Sequence, residues 1–336
     1  MRGYVEASRF PLARVGGLPV PKLVLGHLPF VGESYQGVKK NQEYYERFSH
    51  VENTIKILKK AINDYGVTVV ASTPATEGKL PALLLDAIKE TIKATSVEIA
   101  LIPCFRIPLR IGEKPIDDYR RWITYYEIER KPVGEELLEK YIADPILQCR
   151  EGWKEKFPKA LTQLGPYCEE EVQKLRIDHS RLNEELQSLD GFRVLFAEPG
   201  SETDFLAMTG RFDLLEDFTG NLRDKLKCQV ILATHHAGST IPILDESKTK
   251  FSGYLTPVNR LGVMMLPTQE LAIKTIRGAK KPVMAIKPLA GGRIRPIEAF
   301  EYVYKEQRID VCMVGVASEK EVDEDLKAVQ NVLREE

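Results

Sequence analysis

Histidine is scarce in this chain, five residues in 336, yet His27, His235 and His236 each follow a short run of apolar, largely β-branched residues. Glu198 closes another such run, Cys104 follows a further one and Lys287 lies near the end of another. If the runs are strands of one parallel barrel, their ends share a face, and polar side chains remote in sequence meet there. Two imidazoles and a carboxylate, His27, His235 and Glu198, would be a donor set for a divalent metal such as zinc or iron with one position open. No H-x-H or H-E-x-x-H spacing accompanies them, so hydrogen-bonded side chains lining a pocket are the simpler reading. Neighbours on a strand point to opposite sides, so only one of His235 and His236 can face such a pocket, and His235 is expected inward. With Glu77, the same groups suit proton transfer by general acid and base. Lys287 suits an anion contact or, if burial lowers its pKa, an amine nucleophile. Cys104 would be a nucleophile only beside an imidazole, and is otherwise inert packing. His50 and His179 flank helical segments and read as cap or surface residues.

Eight apolar runs carry this argument: 22–28, 67–73, 97–103, 192–198, 229–235, 253–258, 282–288 and 310–316. Most are followed by segments with helical spacing, clearest at 51–65, 80–94, 268–278, 296–307 and 319–334, where residues such as Ile55, Leu58 and Ile62 form one apolar stripe. That alternation predicts an α/β fold, a (β/α)8 TIM barrel forming a single domain over 1–336, rather than an open doubly wound sheet. Residues 110–178, after the third strand, break the rhythm. They hold both tryptophans, Trp122 and Trp153, the cluster Tyr119, Tyr125 and Tyr126, and several prolines. A helical insertion there emerges on the face where barrels bind substrates, as a lid or as an interface for a homo-oligomer.

The composition narrows the partners. Forty-eight lysines and arginines balance 49 acidic residues, which argues against nucleic acid or an anionic membrane and leaves a small-molecule ligand or a protein partner. Five scattered cysteines form no disulfide framework, no apolar run is long enough to span a membrane and no secretion signal is visible, so a reducing cytoplasm is expected. Abundant Glu, Lys and Arg fit a thermophile.

The order of the motifs resembles the aldo-keto reductases. LARVGGLPVPKLVLG at 12–26 is similar to that family's opening hairpin and first strand, and KPVMAIKPLAGGRI at 281–294 and VCMVGVASEKEVDEDL at 311–326 to its two closing strand–helix units. ENTIKILKKAINDYG and VTVVAST at 52–73 resemble the first helix and second strand, SRLNEELQSLDGF the helix before the fourth strand, and ILATHHAG and YLTPVNRLG the fifth and sixth strands. The resemblance implies carbonyl reduction with NADP(H), using a tyrosine acid supported by lysine, aspartate and histidine. Here Ser72 stands for the aspartate, Glu77 for the tyrosine, Pro103 or Cys104 for the lysine and Glu198 for the histidine, while His235 replaces the asparagine that holds the nicotinamide. A carboxylate cannot donate a tyrosine's proton unless burial keeps it protonated. The implied cofactor half is closer to the family. Lys287, Gly291, Gly292, Arg293, Gly315, Ser318 and Lys320 would surround phosphate after strands seven and eight. Glu324 and Asp325 match the adenine-contacting pair. A tight βα turn explains the same glycines without a ligand.

The expectation is therefore a divergent barrel enzyme that binds a phosphorylated or nucleotide ligand and transfers protons through Glu77, Glu198, His235 and His27. An NAD(P)-dependent oxidoreductase with a substituted tetrad, a metal-assisted hydrolase or lyase and a non-catalytic binding protein are the alternatives.

Overall fold

A computed structural model describes residues 3–334. Eight parallel strands close into a barrel: Leu23–Gly26, Val69–Ser72, Ala100–Phe105, Phe196–Pro199, Gln229–Ala233, Gly253–Pro257, Val283–Ile286 and Val311–Gly315. The ring shuts where the eighth strand pairs with the first, Gly315 opposite Gly26. Helices wrap it, and among the described residues none is long and apolar enough to cross a membrane.

Two apolar cores separate the inside of the barrel from the strand–helix layer. Val69, Ala71, Ala100, Ile102, Phe196 and Ile231 belong to the inner core, which fixes the phase of their strands. Alternation continued to the C-terminal ends turns Thr73, Cys104, Glu198 and His235 into the barrel mouth, and Ser72 and His236 toward the helices. The opposite end is plugged by the antiparallel hairpin Leu12–Val15 and Leu18–Pro21, whose Val15 and Val20 join the inner core with Tyr4. Its two-residue turn requires Gly16 and Gly17, both at positive φ.

The strongly periodic segments fold as expected. The helix Val51–Tyr65 buries Ile57, Leu58, Ala61 and Ile62, and Gly66, left-handed at φ 68°, ends it by donating to the Ala61 and Ile62 carbonyls. The third strand starts later than expected and runs to Phe105, so Cys104 lies within it. Two expected helices, 296–307 and 319–334, each contain a π-helical turn, Tyr302–Glu306 and Val322–Leu326. The helix Val38–Phe48, after the first strand, had no expected counterpart, since Tyr44 and Phe48 are its only buried residues.

The insertion is a helical annex clamped at its root. Leu109–Ile111 pairs antiparallel with Leu175–Ile177, so the chain leaves and rejoins the barrel at one place. Between them lie the helices Asp118–Val133, Glu136–Ala143, Trp153–Gln163 and Glu169–Gln173. Its aromatics pack on one another, Trp153 stacking on Phe157 at 4.5 Å and Trp122 meeting Trp153 edge-on at 5.5 Å. Those side chains are buried within the annex and do not form an apolar outer face. The annex reaches loops after several strands. Arg121 pairs with Glu202 at 2.6 Å after strand four, and the Met264 N–H, after strand six, donates to Asp144 at 2.7 Å.

Its anchor on strand five is a polar cluster in which Glu129, Tyr141 and His236 are buried. Glu129 accepts from Tyr141 Oη at 2.5 Å and Ser239 Oγ at 2.8 Å, and lies 2.9 Å from His236 Nδ1. The His236 ring sits against Tyr125 at 4.3 Å and Trp122 at 5.5 Å. Burial opposes charge on this imidazole, but Glu129 more than compensates and raises its pKa above the ordinary histidine value. Next to it, Asp204, itself buried, accepts from Thr234 Oγ1 and from the His235 N–H, fixing the end of strand five.

Candidate active site

At the mouth, Glu198 and Cys104 are direct neighbours on adjacent strands. Burial pushes Glu198 up to about 7, even though the thiol and the Lys287 ammonium both favour its ionised form. The same carboxylate and burial raise Cys104 far above the ordinary thiol value, so Cys104 is no thiolate nucleophile here.

Lys287 follows the seventh strand in a left-handed conformation, φ 55°, which a β-carbon tolerates poorly. Its ammonium lies 4.7 Å from the centre of the Tyr35 ring and makes no ion pair or hydrogen bond among the described residues. Burial pulls it down to about 8, opposed by Glu198 and more distant acids. His27 is pushed down to about 4 by burial and by Lys287, and its Nδ1 is buried without a partner. His235 falls well below the ordinary value through burial first and Lys287 next. Near neutral pH the mouth therefore holds two neutral imidazoles beside a carboxyl group and an amine that each titrate close to neutrality. That is the condition under which one group can give a proton and the other take it.

His27, Glu198 and His235 all lie at strand ends on the mouth side, where the Lys287 ammonium acts on each electrostatically, and the strand phase turns His235 inward while His236 packs against Glu129 and Tyr125. The three do not form a metal site: among the described residues no three His, Cys, Asp or Glu side chains are grouped to hold an ion. A resident lysine cation, close enough to act electrostatically on all three, supplies the positive charge that a metal would bring. Glu77 also departs from expectation. Its carboxylate is held by Arg181 at 2.5 Å and lies 3.6 Å from Arg106, with Glu185 on Arg181 at 2.9 Å. It ties the second-strand loop to the helix His179–Gln187 and is committed as an ion-pair acceptor. His50 precedes its helix without a capping bond, and the cap beside His179 is Asp178, whose side chain accepts from the Arg181 N–H.

The cradle expected after strands seven and eight is filled by the chain itself. The Ala317 N–H donates to Glu321 Oε2 at 2.7 Å while Ser318 Oγ accepts from the Glu321 N–H at 3.1 Å, a reciprocal cap at the helix start. Arg293 donates to the carbonyls of Ala290 at 2.9 Å and Tyr35 at 3.1 Å. Lys320 is exposed beside Glu324 at 3.4 Å, and buried Asp325 is pushed up to about 7 by burial and by Glu321 and Glu324. The glycines serve the loop after strand one. A β-carbon on Gly291 would come within 2.9 Å of Tyr35 Cβ, one on Gly292 within 2.9 Å of Gln36 Nε2, and one on Gly315 within 2.7 Å of Pro29. A dinucleotide phosphate at this helix start would have to displace the Glu321 carboxylate from the Ala317 N–H.

Tyr35 had no place in the sequence argument. Its signal was local: FVGESYQG follows the first strand directly, with glycines that let the loop fold back across the mouth, Gly32 at φ 88° and Gly37 at φ 102°. Burial raises the Tyr35 phenol well above its ordinary value, so it stays protonated.

No protein-family model and no curated protein matches the chain. Solved structures do share its fold. A putative aldo-keto reductase from Pseudomonas aeruginosa is 13% identical with a TM-score of 0.54, the match covering 97% of this chain and 99% of that one. A silkworm, Bombyx mori, aldo-keto reductase solved in complex with NADP is 10% identical with a TM-score of 0.51, over 97% and 92% of the two chains. At these identities the likeness establishes an aldo-keto-reductase-like (β/α)8 barrel and no more.

Proposed function

We propose that the barrel mouth is the active site of an enzyme that moves protons on a small carbonyl compound, with Glu198 and Lys287 as the acid–base pair. The observation that carries this reading is the placement of the two groups. They stand at the ends of strands four and seven, Glu198 buried and Lys287 half-buried, each influencing the other's charge, with their titrations drawn toward pH 7 from opposite directions. Glu198 in its ionised form takes a proton from carbon next to the carbonyl. The Lys287 ammonium and the protonated Tyr35 phenol face the oxygen on which negative charge develops. Neutral His27 and His235 orient the substrate by hydrogen bonds. The carbonyl class is supported by the name of the neighbouring structures, aldo-keto reductase, and by the amine, which no carboxylate neutralises by direct contact. Glu198, not Glu77, carries the carboxylate role.

Exchange into heavy water of the hydrogens beside the carbonyl tests this, followed by proton NMR over a panel of small aldehydes and 2-oxo acids. The expected result is catalysed exchange of at least one member without added nicotinamide cofactor, falling about a hundredfold in Glu198→Gln. Exchange equal in the two proteins, or absent across the panel, contradicts it.

A further inference from the structure

We infer that Lys287 is a covalent amine nucleophile that captures aldehyde or ketone substrates as an imine, with Glu198 delivering the proton that removes water. This rests on the proton-transfer reading above and adds a bond to it. The geometry is that of an amine held for attack. Lys287 follows the seventh strand in a left-handed conformation, the Tyr35 ring centre lies 4.7 Å from its terminal nitrogen, and no carboxylate or carbonyl binds the ammonium among the described residues. Lys60, which is likewise only partly exposed, has by contrast a direct counter-ion in Asp323 at 2.8 Å. The other use of this lysine, holding a phosphate, loses its support because Glu321 and the Tyr35 loop already occupy that cradle. The downward shift of the amine agrees, since more of it is neutral at pH 7 than of a surface lysine.

The step balances without an oxidant or reductant. The neutral Lys287 nitrogen attacks the carbonyl carbon, the C=O π pair moves to oxygen, and oxygen takes the proton of the Glu198 carboxyl group. The nitrogen then loses a proton to Glu198. The carbon–oxygen bond breaks as Glu198 returns that proton, water leaves, and a protonated imine remains on Lys287. Its positive nitrogen withdraws electrons from the adjacent carbon–hydrogen bond, the bond whose proton the ionised Glu198 then takes.

The test uses the intact native protein and formaldehyde, the smallest carbonyl probe, so that no substrate needs to be known. At limiting formaldehyde with cyanoborohydride at pH 7, peptide mass spectrometry ranks the lysines by imine formation. Lys287 is expected to react about tenfold faster than the exposed Lys56 and Lys93. Reaction at or below their rate overturns the inference. Combined with the exchange assay, the two ideas fail separately: exchange with ordinary Lys287 labelling removes the imine and keeps proton transfer, whereas fast labelling without exchange removes the proton-transfer reading and retains a reactive amine.

Discussion

The Glu198→Gln variant is expected to be more stable than the parent by about 3 kcal/mol at pH 8, and by under about 1 kcal/mol at pH 5. The folded protein holds this carboxyl group at about 7, well above its value in an unfolded chain, because it is buried. Between those two values the unfolded chain has lost the proton and the folded chain keeps it, so stability falls as pH rises through the interval. Above the folded value the full cost of a buried carboxylate is present. Glutamine carries no charge, so it removes that cost. Urea unfolding at the two pH values measures the difference. A residue that weakens the fold while supporting proton exchange is the signature of a site kept for chemistry. Equal stability at both pH values would mean that Glu198 is solvated and has no raised pKa.

The Glu129→Ala variant is expected to lose about 3–5 kcal/mol. Tyr141, Ser239 and His236 all converge on this one carboxylate, and Glu129, Tyr141 and His236 are nearly inaccessible to water. Removing it strands three polar groups in an apolar setting lined by Trp122 and Tyr125, and adds a cavity. The damage should centre on the contact between the helix Asp118–Val133 and the end of strand five. Amide exchange should therefore speed up in the annex before it does in the barrel strands. A loss below about 1 kcal/mol would show that water reaches the cluster and satisfies its partners.

The sequence carried the barrel because the signals for it are local and repeated. A run such as VVAS flanked by an amphipathic helix reads the same whether or not its neighbours are known. The inward phase of His235 and Glu198 followed from the same alternation. What did not follow was how the loops fold over the mouth. Glu77 has the charge and position of a mouth residue, yet Arg181, on a helix more than a hundred residues later, takes it. The glycines after strands seven and eight look like a phosphate cradle because the same backbone freedom serves either an anion or a neighbouring loop. Only the contacts of Tyr35, Gln36 and Pro29 distinguish the two. Glu321 shows the difficulty most plainly, since a carboxylate three residues after Ser318 caps the helix as a phosphate would. Glu129 lay in an insertion whose aromatics drew attention instead, and its partner His236 was expected to lean outward but not onto a buried acid.

Carbon-13 NMR of side-chain-labelled glutamate, with Glu198 assigned by its absence in Glu198→Gln, follows the titration of the group on which the account depends. A midpoint near 7, with a response to Lys287→Met that raises it further as the neighbouring cation is lost, is the predicted result. A midpoint close to the ordinary glutamate value, indifferent to Lys287, would contradict an acid–base pair at the barrel mouth.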